Sequence, residues 1–142
     1  TMNAATHGLR ARQPLLLYED HAENDRLRDR IVHAYDPDAA AEELLVDEIV
    51  GLVWRLTRAE RVEVALYTVG ATGPLLEALR RSGEGDAAVG VAFSTHATSF
   101  ATLSKYESSL ASRLRRALAD LRLAQSARRD DVPSLVVLES EA

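Results

Sequence analysis

The chain contains no cysteine. Disulfides and thiolate metal sites are therefore excluded, and the fold must be held by non-covalent contacts alone. Aromatic residues are scarce: Trp54, Tyr18, Tyr35, Tyr67, Tyr106, Phe93 and Phe100 are the full set. A short supply of rings counts against a stacking platform for single-stranded nucleic acid. No apolar run reaches the roughly 18–20 residues of a membrane span, and the N-terminus has no signal-peptide layout. No membrane partner is expected, and a cytoplasmic location is. The net charge of −5 argues against a generic nucleic-acid binder.

What the sequence does contain is Leu, Ala and Arg in helical order, over 142 residues that suffice for one domain. Two stretches, 38–69 and 97–129, read as long amphipathic helices of ~45–50 Å each at 1.5 Å per residue. Helices of that length usually persist by packing on one another. A shorter helix is expected over 19–35, where Leu27, Ile31 and Tyr35 recur four apart on one face. Asp36-Pro37-Asp38 ends it, and Asp38 is the expected N-cap of the next helix.

The second helix carries Leu45, Ile49, Leu52, Leu56, Ala59 and Leu66 along its main stripe, with Val46, Val50 and Val53 beside them and Trp54 on the far side. From Leu44 to Leu56 it is apolar over most of its circumference, as in a helix with neighbours on several sides. Gly51 in its middle suggests close approach of another helix. In the last helix Leu103, Tyr106, Leu110, Leu114, Ala117, Leu121 and Ala124 form a coiled-coil-like seam. The expected class is thus all-α: two long antiparallel helices plus a shorter N-terminal helix in a bundle.

Three regions frame this body. Residues 1–18 form an irregular basic leader whose Leu15-Leu16-Leu17 could staple onto the helices. Within 19–129 a connector covers about 70–96. There Thr72-Gly73-Pro74 could cap a short helix over 75–81, Ser82-Gly83-Glu84-Gly85 reads as a flexible link, and 87–93 fits loop, strand or an early helical turn. The tail, 130–142, is acidic around the apolar run Leu135-Val136-Val137-Leu138, which could add as a strand to a partner.

Charge is segregated along the chain. Residues 36–69 hold eight acids against Arg55, Arg58 and Arg61; residues 97–129 hold Lys105 and six arginines against Glu107 and Asp120. Antiparallel pairing would bring Asp38, Glu42, Glu43, Asp47 and Glu48 to Arg115, Arg116, Arg122, Arg128 and Arg129, and each helix's charges also suit its own macrodipole. The competing reading is a phosphate-contacting ridge. Arg115, Arg122 and Arg129 recur every seven residues with Arg116 alongside, and Arg10 and Arg12 stand in the leader.

Catalytic and cofactor signals are weak. His7, His21, His33 and His96 have no metal-ligand spacing, and Asp29 with His33 makes at most half a site. Glu43 and Asp47 lie four apart but lack the Glu-x-x-His partners of a di-metal bundle. Ser94-Thr95-His96 has no nucleophile-elbow pattern, and the glycines form neither GxGxxG nor GxxxxGK[ST]. No enzyme activity, cofactor or metal is expected.

The leader Asn3-Ala4-Ala5-Thr6-His7-Gly8-Leu9-Arg10-Ala11-Arg12 resembles the NAxxHGL opening of a largely uncharacterised family of small bacterial helical proteins. The likeness continues through Glu19-Asp20, the block from Glu42 to Ile49, Trp54-Arg55-Leu56, Tyr106-Glu107 and the Arg/Leu-rich stretch to Arg129. In that family the leader follows a basic Ser/Arg-rich extension, expected here to be absent or cut away before Thr1. The resemblance implies association with phages and mobile elements, a DNA-associated accessory role and no catalytic residues.

Two functions follow as expectations. The first is a non-catalytic helical interaction or assembly protein, self-associating or bound to a larger partner through the seam. The alternative is a nucleic-acid-binding accessory protein that contacts phosphate through the arginines.

Overall fold

The computed structural model describes residues 15–70 and 72–131, the side chain of residue 75 excepted. These residues form five helices: α1, His21–Tyr35; α2, Ala40–Gly70; α3, Pro74–Arg81; α4, Gly85–Thr95; and α5, Ala97–Asp131. No strand occurs among them. The leader up to residue 14 and the tail from residue 132, with Arg10, Arg12 and the Leu135–Leu138 run, lie outside the described residues.

Local chemistry sets the ends of α1. Asp20 is its N-cap, and one carboxylate oxygen accepts the N–H groups of Ala22 at 2.8 Å and Glu23 at 3.3 Å. Asp36 takes left-handed backbone angles (φ 44°, ψ 61°) and its N–H closes on the Val32 carbonyl at 2.8 Å. Before α1, Leu15 is half-buried, but Leu16 is exposed and Leu17 fully so, and the triple leucine is no staple. The turn is tied internally instead, by the N–H of Glu19 to the Leu16 carbonyl and of Leu16 to the Glu19 carboxylate.

Helix α2 starts two residues later than its sequence suggests. Asp38 is not its N-cap: the N–H of Glu43 reaches the Ala39 carbonyl, while the Asp38 carboxylate is drawn to Arg128. The central turns behave as their all-round apolar character implies, with Val46, Ile49, Val50, Gly51, Leu52 and Trp54 all buried. Leu44 is an exception at 71% exposed.

The stretch 85–95 is a helix in its own right. Its alanines favour a helix, while Gly85, Gly90, Val89, Val91 and Thr95 oppose one, and burial of Ala88 and Ala92 adds to the helical side. Gly70 permits this: a Cβ there would sit 2.8 Å from the Ala92 Cβ and 3.0 Å from its Cα. His96 joins α4 to α5, donating its N–H to Ala92 and accepting that of Phe100.

The chain divides into two compact units, one holding the residues up to Gly51 together with those from Leu114, the other Leu52–Arg113. In the first, the core includes Val46, Ile49, Val50, Ala117 and Leu121. In the second it includes Leu52, Trp54, Ala59, Leu76, Ala88, Ala92, Phe100 and Leu110. Here Phe100 stacks at a tilt against Tyr67 and Phe93, with ring centroids 4.6 and 5.1 Å away, within the favourable range for aromatic pairs. None of the described helices is long and apolar enough to cross a membrane.

Candidate functional site

The seam residues of α2 are distributed over both units: Leu45 and Leu56 are half-buried, Ile49 and Leu52 fully buried. Along α5, Leu110 and Leu121 are buried and Leu103 and Leu114 half-buried. Tyr106 departs from the pattern at 45% exposed. The 3-4 periodicity puts it in line with the other seam residues, and a little under half of it stays open to solvent.

What lies beside Tyr106 is a groove of about 450 Å³ within the Leu52–Arg113 unit. Val62 and Leu66 of α2 line it, with Thr98, Ser99, Thr102, Leu103 and Tyr106 of α5. Val62 is 41% exposed, and Val69, one heptad further along α2, is exposed as well. All the lining residues fall on rows four apart: Val62–Leu66, Thr98–Thr102–Tyr106 and Ser99–Leu103. Rows of this kind form the ridges that pack into a neighbouring helix's grooves. The hydroxyls of Thr98, Ser99 and Thr102 have no hydrogen-bond partner among the described residues.

In the other unit the arginines of α5 divide into two sets. Arg128 turns inward. Its guanidinium lies 3.2 Å from the Asp38 carboxylate and 2.8 Å from Glu42 Oε1, the latter an ion contact whose N–H direction does not make a hydrogen bond. Glu42 is 1% exposed and is the centre of this clasp. Its Oε2 accepts the Asp38 N–H at 3.3 Å and lies 3.4 Å from Gln125 Nε2, which donates to the Tyr35 carbonyl at 2.6 Å. One buried carboxylate thus ties the start of α2 to the last turns of α5, and Gln125 extends the link to the end of α1. Asp47 accepts from Arg28 of α1. Glu43, Glu48 and Arg115 also have partners.

Arg116, Arg122 and Arg129 point the other way and are exposed. Arg129 donates to the Gln125 carbonyl of its own helix at 3.3 Å. Among the described residues no ion pair engages Arg116 or Arg122. The seven-residue repeat therefore has Arg122 and Arg129 exposed, while Arg128, one of the arginines expected to meet the acidic start of α2, pairs with Asp38 and Glu42.

Two further features have no sequence signal. Trp54 is 3% exposed, its indole N–H has no hydrogen-bond partner among the described residues, and the Arg61 guanidinium stands 5.7 Å from its ring centroid. Asn24 is buried with its amide nitrogen likewise unpaired. His21 and His33 are exposed and His96 half-buried. Among the described residues no three His, Asp or Glu side chains are grouped to hold a metal ion.

Compared with known proteins, the chain matches no family model, no curated protein and no solved structure.

Proposed function

We propose that this chain is a non-catalytic helical assembly protein that associates with a second copy of itself. The observation that carries the reading is the open apolar groove between Val62 and Leu66 on α2 and Leu103 and Tyr106 on α5. Apolar residues at helical spacing, only partly covered by the other described residues, fit a helix laid between them. A closed two-fold dimer is the simplest way to cover such a face without exposing another. The reading includes an antiparallel course for α2 and α5. It is supported unit by unit, by Arg128 with Glu42 and Asp38 in one and by Tyr67 with Phe100 in the other. Val62→Glu puts a charge into the groove at a site already 41% exposed in the single chain. Sedimentation equilibrium should show dimer dissociation strengthened about tenfold or more by it, since burying an unpaired carboxylate costs at least 1.4 kcal/mol. An unchanged association would contradict the reading.

A second reading rests on the outward set of arginines. Arg116, Arg122 and Arg129 could contact phosphate, in keeping with the DNA-associated role implied by the NAxxHGL resemblance. Duplex-DNA binding followed by fluorescence anisotropy over a salt series tests it. Replacing the three with Ala should flatten the slope of log K against log salt by roughly 3, about one per lost phosphate contact. Absence of binding at low salt leaves assembly as the sole function.

A further inference from the structure

The segment 73–95 is joined to the rest of the Leu52–Arg113 unit by few contacts. Its two helices, α3 and α4, pack on each other across the Ser82–Glu84 turn. Of its described side chains, Leu76, Ala88 and Ala92 alone are buried. Its polar contacts are internal. Arg80 and Arg81 pair with Glu77, and the hydroxyls of Ser82, Ser94 and Thr95 donate to the carbonyls of Leu79, Gly90 and Val91. Among the described residues, no side-chain hydrogen bond or ion pair runs from the segment to α2 or α5. What fastens it is apolar: Ala92 lies against Gly70 of α2, and the Phe93 ring centroid stands 5.1 Å from that of Phe100 on α5.

Both ends of the segment can turn. Gly73 has φ 118° and open space where a Cβ would stand, and His96 leaves helical angles between α4 and α5 (φ −110°, ψ 25°). Neither α3 nor α4 has a side-chain N-cap. Helices of 8 and 11 residues do not persist alone in water, so the pair depends on its contact with α2 and α5. A segment with little buried surface and no polar ties opens before the rest of its unit.

We propose that 73–95 is a hinged cover that lifts from α2 and α5 as one unit, turning at Gly73 and His96, while the long helices stay joined through Tyr67 and Phe100. Lifting bares the Phe100 ring, which is 7% exposed under the cover and lies one turn from Leu103 of the groove. The chain thereby holds back apolar surface beside the groove it already shows. This motion needs a single chain and does not depend on association.

Amide hydrogen exchange of the native chain over low urea concentrations tests the cover. After correction for intrinsic rates, the α3 and α4 amides should exchange about a hundredfold faster than those of Leu52–Ala59 in α2, with one shared urea slope well below the global one. Phe93→Ala removes a ring already 50% exposed. It should speed exchange in α3 and α4 by the same factor, about three- to tenfold, with helical content by circular dichroism unchanged. Exchange of both helices at the rate and urea slope of Leu52–Ala59 would show that the segment opens only with the whole unit, which overturns the proposal. Scattered rates without urea dependence, or an effect of Phe93→Ala confined to α4, would mean separate fraying and overturn it equally.

Discussion

Glu42 has almost no solvent contact, and a carboxylate without water is tolerable only with compensating partners. Arg128, the Asp38 N–H and Gln125 supply them, although the Arg128 side chain remains 37% exposed and so is partly screened. Asp38 pairs with the same arginine but is largely in water, where an ion pair contributes little. Two substitutions at neighbouring positions should therefore behave differently. In urea unfolding, Glu42→Ala should cost about 1–3 kcal/mol, because it removes the buried acceptor of the Asp38 N–H and the ion contact to Arg128 Nε, while Asp38→Ala should stay within about 0.5 kcal/mol. Equal effects would mean that burial does not decide the clasp's contribution.

Among the elements, α4 depends most on its neighbours and least on its own sequence. Its two glycine-related positions should respond in opposite senses. Gly70→Ala forces a methyl group against the Ala92 backbone and should destabilise by about 1–3 kcal/mol. Gly90→Ala meets nothing within 4 Å and should stabilise by about 0.5–1 kcal/mol through helix propensity. Thermal unfolding of the two variants checks the pair. The same contrast explains what could be read in advance. The helices around Leu27–Tyr35, Leu45–Leu66 and Leu103–Ala124 announce themselves by 3-4 spacing, and α3 by Pro74 at its start. Helix α4 could not be read, since Ala, Gly and Val suit several states until Ala92 meets Gly70. Side-chain partners were also hidden: periodicity puts Tyr106 and Arg122 on their faces of α5, but coverage and pairing depend on other elements. Asp47 illustrates this, with a partner, Arg28, nineteen residues earlier on α1 that no spacing announces.

For the whole molecule, the inward arginine joins helices and the outward ones face solvent, so charge segregation alone does not choose between assembly and phosphate binding. The groove favours assembly. Seven lining residues fall short of the about 20–30 per side in a stable interface. They would form its centre, with the flanking surfaces of α2 and α5 as the rim. The native chain's mass by multi-angle light scattering after gel filtration, at micromolar concentration, tests this most directly. The account predicts twice the 15.5 kDa of one chain, and a mass of 15.5 kDa throughout would contradict it.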